Sequence, residues 1–218
     1  MRGKLRIAII ACDHFKRELE ALTEGDGDFV LHEYLEYHLH ENPKALRETV
    51  IDRIDSLEGK VDAVLLGYGT CGSLKGVEDR VKVPTVMFKA DDCIAVYLTQ
   101  EVYDREKENV PLTYYSTPYF SEMDMEWHHE DWNRKMGMDL EDEMFHSMFT
   151  KLFDGYSRSI YVHTIGEREC FERKAKKFAD ELSLRFESRD GTLTVMREAI
   201  EQVKELARQT IGSKEAVE

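Results

Sequence analysis

Long apolar runs, proline and cysteine are all scarce in this chain of 218 residues, which has four prolines and four cysteines. No apolar stretch approaches the roughly 20 residues that a membrane-spanning helix needs. The apolar run near the start, residues 7–11, is too short for a signal peptide with its cleavage site. We therefore expect a cytoplasmic protein with no membrane partner. In that compartment, cysteines indicate metal binding, catalysis or simple burial rather than structural disulfides.

Positive charge is also in short supply. Lysine and arginine together number 30 against 44 aspartates and glutamates, which gives a formal net charge of -14. Such a surface repels phosphate backbones, so we expect no nucleic-acid partner. The chain also lacks heptads, fixed-period repeats, a Walker loop and a readable Ser-His-Asp set. These absences exclude coiled coils, repeat arrays and the commonest nucleotide and hydrolase signatures.

Buried-looking strands alternate with amphipathic helices along the chain. The apolar share of 42% is enough for a full core. The pattern predicts an α/β fold, a mainly parallel sheet with helices on both faces, with two lobes around a cleft as an alternative arrangement. We expect one domain over 1–212 with a helical insertion or lid at about 121–142, and a flexible tail at 213–218. The predicted strands are 4–11, 29–35, 61–66, 83–88, 111–117, 159–164 and 183–187.

Three cysteines follow predicted strands. Cys12 comes after the first strand, Cys71 lies in a glycine-rich turn after the third, and Cys93 follows the fourth. Parallel strands all end at the same edge of a sheet, where ligands bind in open α/β folds. The three thiols are therefore predicted on one rim, whereas Cys170 falls inside a helix.

Three thiolates at one place suit a soft metal centre. Cys12, Cys71 and Cys93 could hold zinc, or an iron–sulfur cluster with one open position. Gly69 and Gly72, on either side of Cys71, would let backbone amides approach such a centre. The alternative is that the three cysteines are merely packed, since cysteine is among the residues most often buried.

Several polar residues near the predicted rim are candidates for chemistry. His14 and Asp92 could each be a fourth ligand or a proton carrier, and the same holds for Asp13 and Asp91. Tyr114, at the end of the fifth strand, could hydrogen-bond a substrate or donate a proton. The alternatives are a solvated turn for His14, a helix cap for Asp92, and inward packing for one of the two adjacent tyrosines.

Two further interpretations of the central loop stay open. Residues 67–72 match the GxGxxG dinucleotide fingerprint, with acidic residues about 20 positions later, but the segment that follows is short, charged and broken by Gly76. A thiol enzyme without metal could instead use Cys71 as its nucleophile. Separately, the Met and Phe stripe from Met144 to Phe153 predicts core packing or a dimer face, so a homo-oligomer is one expected assembly.

Four pieces of the chain resemble a family of unknown function from methanogenic archaea and other microbes. They are Ile9-Ile-Ala-Cys12, Leu66-Gly-Tyr-Gly-Thr-Cys-Gly72, Asp91-Asp-Cys-Ile94 and Thr113-Tyr-Tyr-Ser-Thr-Pro118. In that family the second motif is similar to Gly-Tyr-Gly-Leu-Cys-Gly and the third to His-Asp-Cys. This chain departs from the pattern at Thr70 and at Asp91.

The resemblance implies a metabolic setting, because that family is often encoded alongside corrinoid-dependent methyl transfer. It favours a [4Fe-4S] cluster with one open iron, with Zn²⁺ as the alternative. It implies a metal-dependent transferase of methyl or thiol chemistry in anaerobic one-carbon metabolism, with a small-molecule substrate or a corrinoid protein as partner. The alternative is a non-catalytic metal- or corrinoid-handling accessory of a methyltransferase system.

Overall fold

The computed structural model describes residues 4–70 and 72–215. The strands are β1 Ile7–Cys12, β2 Phe29–Leu35, β3 Ala63–Gly67, β4 Thr85–Met87, β5 Thr113–Ser116, β6 Arg158–His163 and β7 Arg185–Asp190. The helices are α1 Lys16–Thr23, α2 Pro43–Asp55, α3 Cys93–Leu98, α4 Gln100–Asn109, α5 Met125–Met136, α6 Asp142–Lys151, α7 Arg168–Glu181 and α8 Thr194–Glu215.

The predicted fold class is confirmed, but the strands form two parallel sheets. The first has the order β2-β1-β3-β4 and the second β5-β6-β7. We expected one mainly parallel sheet, with two lobes around a cleft as the alternative arrangement. Within the described chain, the three-residue β4 pairs with β3 alone, and β5 pairs with β6.

The chain divides into two compact units. The N-terminal unit comprises Met1–Gln100 and Thr192–Glu218, and the central unit is Glu101–Gly191. The predicted domain at 1–212 spans both units. Helix α8 continues to Glu215, three residues beyond Gly212, where we expected the tail to begin. Residues 216–218 lie outside the described part of the chain.

In the N-terminal unit, helices cover a sheet whose central strands are wholly buried. Every residue of β1 and β3 is buried, as is usual for parallel strands with helices on both faces. Helix α2 packs against β1, and α8 returns from the far end of the chain to pack against β1, β3 and β4. No helix in the described residues is both long enough and apolar enough to cross a membrane.

The core of the central unit is aromatic. Its buried residues are Phe145, Phe149, Phe178, Ala179, Leu182 and Leu184. The segment that we predicted as a helical insertion contains α5, and its Met125, Trp132 and Leu140 pack against this core. These contacts anchor the insertion within the central unit.

A close approach between β1 and β3 depends on glycine. Ala11 and Gly67 are partners in the parallel register. A Cβ atom at position 67 would lie 2.4 Å from the Cβ of Ala11 and 3.2 Å from Cδ1 of Leu19 on α1. The two strands and α1 can therefore meet at this point only if residue 67 has no side chain.

We predict that Gly67→Ala destabilises the protein by roughly 1–3 kcal/mol, because the added methyl group overpacks a buried contact. Urea denaturation gives the free energy of unfolding. The matched control is Gly212→Ala in α8, where an added Cβ meets nothing within 4 Å. This control should be neutral, or stabilise by up to about 1 kcal/mol, through helix propensity. Equal stability of the Gly67→Ala variant and the unmodified protein would contradict the steric account.

Candidate metal centre

The carboxyl ends of β1, β3 and β4 carry the three loops predicted to hold the thiols. Cys12 is the last residue of β1 and is opposite Leu35 of β2. Cys93 is the first residue of α3, six positions after Met87 ends β4. Because β1, β3 and β4 run parallel, these loops leave the sheet at the same edge.

The loop before Cys71 is fastened to the loop before Cys93. The backbone N–H of Phe88 donates to the carbonyl oxygen of Tyr68 at 3.2 Å, and that of Thr70 donates to Ala90 at 2.6 Å. A Cβ at Gly69 would lie 3.0 Å from the Ala90 oxygen. The glycine is therefore required by this backbone contact. Cys71 itself lies outside the described residues.

Cys12 and Cys93 lie within electrostatic reach of each other. Burial is the main cause that raises the pKa of the Cys12 thiol, and electrostatic interactions with Asp13 and Cys93 raise it further, whereas a hydrogen bond with the backbone of His14 lowers it. The Cys12 Sγ also donates to Oδ1 of Asp13 at 3.6 Å. Because burial disfavours the Cys12 thiolate, a bound cation would stabilise it.

His14 is a buried, neutral imidazole. Burial lowers its pKa to about 3, and the charge of His40 contributes in the same direction. Its ring centroid lies 5.0 Å from that of Phe15 and 5.2 Å from that of Tyr97. The alternative of a solvated turn is therefore wrong for its side chain, which is 2% exposed. Neutral imidazole is the form that binds metals.

Two residues beside the thiols were not predicted from the sequence. The Tyr97 hydroxyl lies 3.1 Å from the His14 carbonyl oxygen and 3.3 Å from Oε2 of Glu18. Tyr97 and Glu18 are both buried. Charges on Cys93 and Cys12 contribute to a raised Tyr97 pKa, whose main cause is burial. The sequence signal that could have found these two residues was spacing. Tyr97 follows Cys93 by one helical turn, and Glu18 follows His14 by the same interval.

The two acidic residues before Cys93 have structural partners. Oδ1 of Asp92 accepts hydrogen bonds from the backbone N–H groups of Ile94 and Ala95 at 2.8 and 3.0 Å. Asp92 is thus the N-cap of α3, as in the capping alternative. Asp91 accepts from Nε2 of Gln100 at 2.9 Å. Both carboxylates help to fix the start of the helix that carries Cys93.

Gly72 and Tyr114 are the remaining predicted site residues, and their surroundings differ from those of the thiols. An added Cβ at Gly72 would meet nothing within 4 Å, so packing does not require glycine there. Tyr114 belongs to the central unit, where its ring packs 5.7 Å from that of Phe153 and 5.4 Å from that of Phe178. Burial raises the Tyr114 pKa. This packing matches the alternative in which one of the two adjacent tyrosines packs inward.

The described residues do not by themselves complete a metal site. Among them, no group of three or more His, Cys, Asp and Glu side chains is arranged to hold a metal ion. Cys12 and Cys93 are among the described residues, whereas Cys71 is not. The described part of the rim thus supplies two thiols from loops that leave one edge of the sheet.

We predict that Asp92→Ala destabilises the protein by about 0.5–2 kcal/mol, the usual effect of losing an N-cap. The Asp92→Asn variant should lose much less stability, because the amide oxygen can still accept the two backbone hydrogen bonds. Thermal unfolding of both variants measures the difference. Equal destabilisation by alanine and asparagine would show that the carboxylate charge, rather than capping, is what matters at this position.

Comparison with known proteins places the chain in a family. No curated protein matches it. A family model described as "Protein of unknown function (DUF1638)" matches residues 34–200, a range that contains Cys71 and Cys93, whereas Cys12 and His14 precede it. Because the match covers most of the chain, the protein belongs to this family of unknown function.

Proposed function

We propose that Cys12, Cys71 and Cys93 bind one metal centre at the carboxyl edge of the first sheet. The observation that carries this proposal is that β1, β3 and β4 run parallel, so the loops that hold the three cysteines leave the sheet at one edge. The hydrogen bond from Thr70 to Ala90 supports it, because it holds the residue before Cys71 against the loop that leads to Cys93.

The surroundings of the two described thiols fit a cation. Cys12 is buried, Cys93 is half-buried, and both are soft donors of the type that zinc and iron–sulfur clusters take. Burial is the main cause that raises the pKa of Cys12, and interactions with Asp13 and Cys93 raise it further. Without a positive charge, this site therefore disfavours the thiolate that a metal needs. A metal would reverse that preference.

The surrounding residues position the thiols. Tyr97 connects α3 to the start of α1 through its contacts with His14 and Glu18. Asp92 fixes the first turn of α3, where Cys93 is located. Neutral His14 is a candidate for the fourth ligand. These contacts restrict the movement of Cys93 relative to Cys12, which favours a preformed site.

We propose a [4Fe-4S] cluster with one open iron as the first choice and zinc as the alternative. When bound, such a centre would supply an open position for a substrate or, as zinc, lower the pKa of a bound thiol or water. The resemblance to a family found beside corrinoid-dependent methyltransferases favours a transferase of methyl or thiol chemistry in anaerobic one-carbon metabolism. Its partner would be a small molecule or a corrinoid protein.

A specific observation favours a second candidate, a non-catalytic metal- or corrinoid-handling accessory protein. Asp92 caps a helix, Asp91 is hydrogen-bonded to Gln100, and His14 is buried in its neutral form. Three of the four proton carriers predicted near the rim are thus engaged in packing or hydrogen bonds, and the fourth, Asp13, accepts a hydrogen bond from Cys12. A centre whose neighbouring acids and imidazole are engaged in this way is suited to storage or delivery.

The metal proposal predicts about one centre per chain after anaerobic purification, measured by metal and acid-labile sulfide analysis and by the absorption spectrum. Cys12→Ala, Cys71→Ala and Cys93→Ala should each lose most of the metal, because each removes one of three protein ligands. Cys170→Ala is the matched control, since Cys170 is half-buried in α7 of the central unit. Its metal content should equal that of the unmodified protein.

Two outcomes would overturn the proposal. One is the absence of bound metal after both anaerobic purification and reconstitution. The other is metal content in the three cysteine variants equal to that of Cys170→Ala. Circular dichroism of each variant establishes that a loss of metal is not a loss of folding.

The coordination test separates the enzyme from the accessory protein. For an enzyme whose iron–sulfur cluster has an open iron, we predict that cyanide or a small thiol changes the absorption spectrum of the cluster-loaded protein, or the electron paramagnetic resonance spectrum of its reduced cluster. A cluster with no open iron should show no change at millimolar ligand. Unchanged spectra of the cluster-loaded protein would contradict the enzyme proposal and favour storage or delivery.

A further inference from the structure

Exposed apolar side chains are concentrated in the central unit. Met144, Met148 and Leu152 have 55%, 42% and 58% of their surface exposed. Met144 and Met148 lie on α6, and Leu152 directly follows its last residue. We call these three residues the methionine face. Met136, the last residue of α5, and Met138, two positions later, are 56% and 54% exposed. Exposed apolar side chains that cluster in one segment, rather than scatter singly, indicate a binding surface.

The methionine face is a separate row from the core face of α6. Phe145 and Phe149 are buried in the aromatic core, and Phe153 packs against it. Each residue of the methionine face precedes one of these phenylalanines, so its row is turned by about 100° around the helix. The apolar side chains of α6 therefore occupy a wider arc around the helix than the part that the aromatic core buries. The predicted stripe from Met144 to Phe153 thus divides into a core half and an exposed half.

Acidic residues directly precede the methionine face along the chain. The segment 136–152 contains Asp139, Glu141, Asp142 and Glu143 against one lysine, Lys151, a net charge of -3. All four acids are exposed, and Asp142 pairs with Nδ1 of His129 at 3.1 Å. An acidic stretch beside an apolar row complements a partner that combines positive charge with an apolar face.

Charge also decides whether a second copy of this chain or a different protein is the better partner for the methionine face. Pairing two copies would bring together two segments of net charge -3, in chains that each have a net charge of -14. That repulsion opposes self-association. A cationic partner gains the corresponding attraction.

We propose that the methionine face binds a cationic amphipathic helix of a partner protein. Its apolar row packs on Met144, Met148 and Leu152, whose flexible side chains adapt to the shape of the partner. Its lysines and arginines pair with Glu141 and Glu143. This recognition mode places an amphipathic helix on an apolar surface with complementary charge at the rim. The inference is independent of the metal centre.

The test uses a dye-labelled model peptide of about 18 residues, made of leucine and lysine at helical spacing. Fluorescence anisotropy measures its binding to the full chain. A scrambled peptide of the same composition has the same charge but no apolar face. We expect micromolar binding of the amphipathic peptide, and binding of the scrambled peptide that is weaker by about tenfold or more.

Two sets of variants separate the apolar and the charged contributions. Met144→Gln/Met148→Gln/Leu152→Gln should weaken binding by about tenfold or more, whereas Val30→Gln, at an exposed valine of the N-terminal unit, should leave it unchanged. Glu141→Gln/Glu143→Gln should weaken binding and reduce its salt dependence more than Glu78→Gln/Asp79→Asn, which removes the same charge from another exposed site.

Three results would overturn the proposal. The first is equal binding of the amphipathic and scrambled peptides. The second is unchanged binding by the triple glutamine variant, which must melt at the temperature of the unmodified protein for the comparison to hold. The third is a dimer in sedimentation velocity that the triple variant converts to monomer, because the methionine face would then belong to a second copy.

Discussion

The close approach of parallel backbones at the carboxyl edge of the first sheet is the constraint on which the candidate site depends. Gly67 lets β3 pass against Ala11 of β1. Gly69 then lets the next loop lie against Ala90, where a backbone hydrogen bond from Thr70 fastens it. A side chain at Gly67 would clash with Ala11, and one at Gly69 would press on the backbone of Ala90. Backbone packing therefore brings together the loops that carry the thiols.

The sequence predicted the parts of this arrangement that depend on local pattern. Apolar runs in the sequence predicted β1 and β3. Because parallel strands end at the same edge of a sheet, Cys12 and Cys93 were predicted at one edge. Which strands form each of the two sheets was not predicted, because an apolar run does not specify which strands it pairs with, and β4 has only three residues. Tyr97 was not predicted as a site residue, because its partner Glu18 lies 79 residues earlier in the chain.

Burial and charge give the two surfaces of this protein different chemistry. At the sheet edge, burial holds His14 neutral and raises the pKa of Cys12, so the site is suited to a metal that supplies positive charge. On α6, the methionine face remains exposed beside acidic residues, which suits a cationic helix. The first surface belongs to the N-terminal unit and the second to the central unit. Each can therefore be altered by substitutions that leave the other unchanged.

X-ray absorption at the zinc edge of the zinc-loaded protein tests the central claim most directly, because it counts the atoms bonded to the metal. The account predicts three sulfur atoms per zinc at about 2.3 Å, and two in the Cys12→Ala variant. A first shell of nitrogen and oxygen alone, or a sulfur count that Cys12→Ala leaves unchanged, would contradict a centre held by Cys12, Cys71 and Cys93.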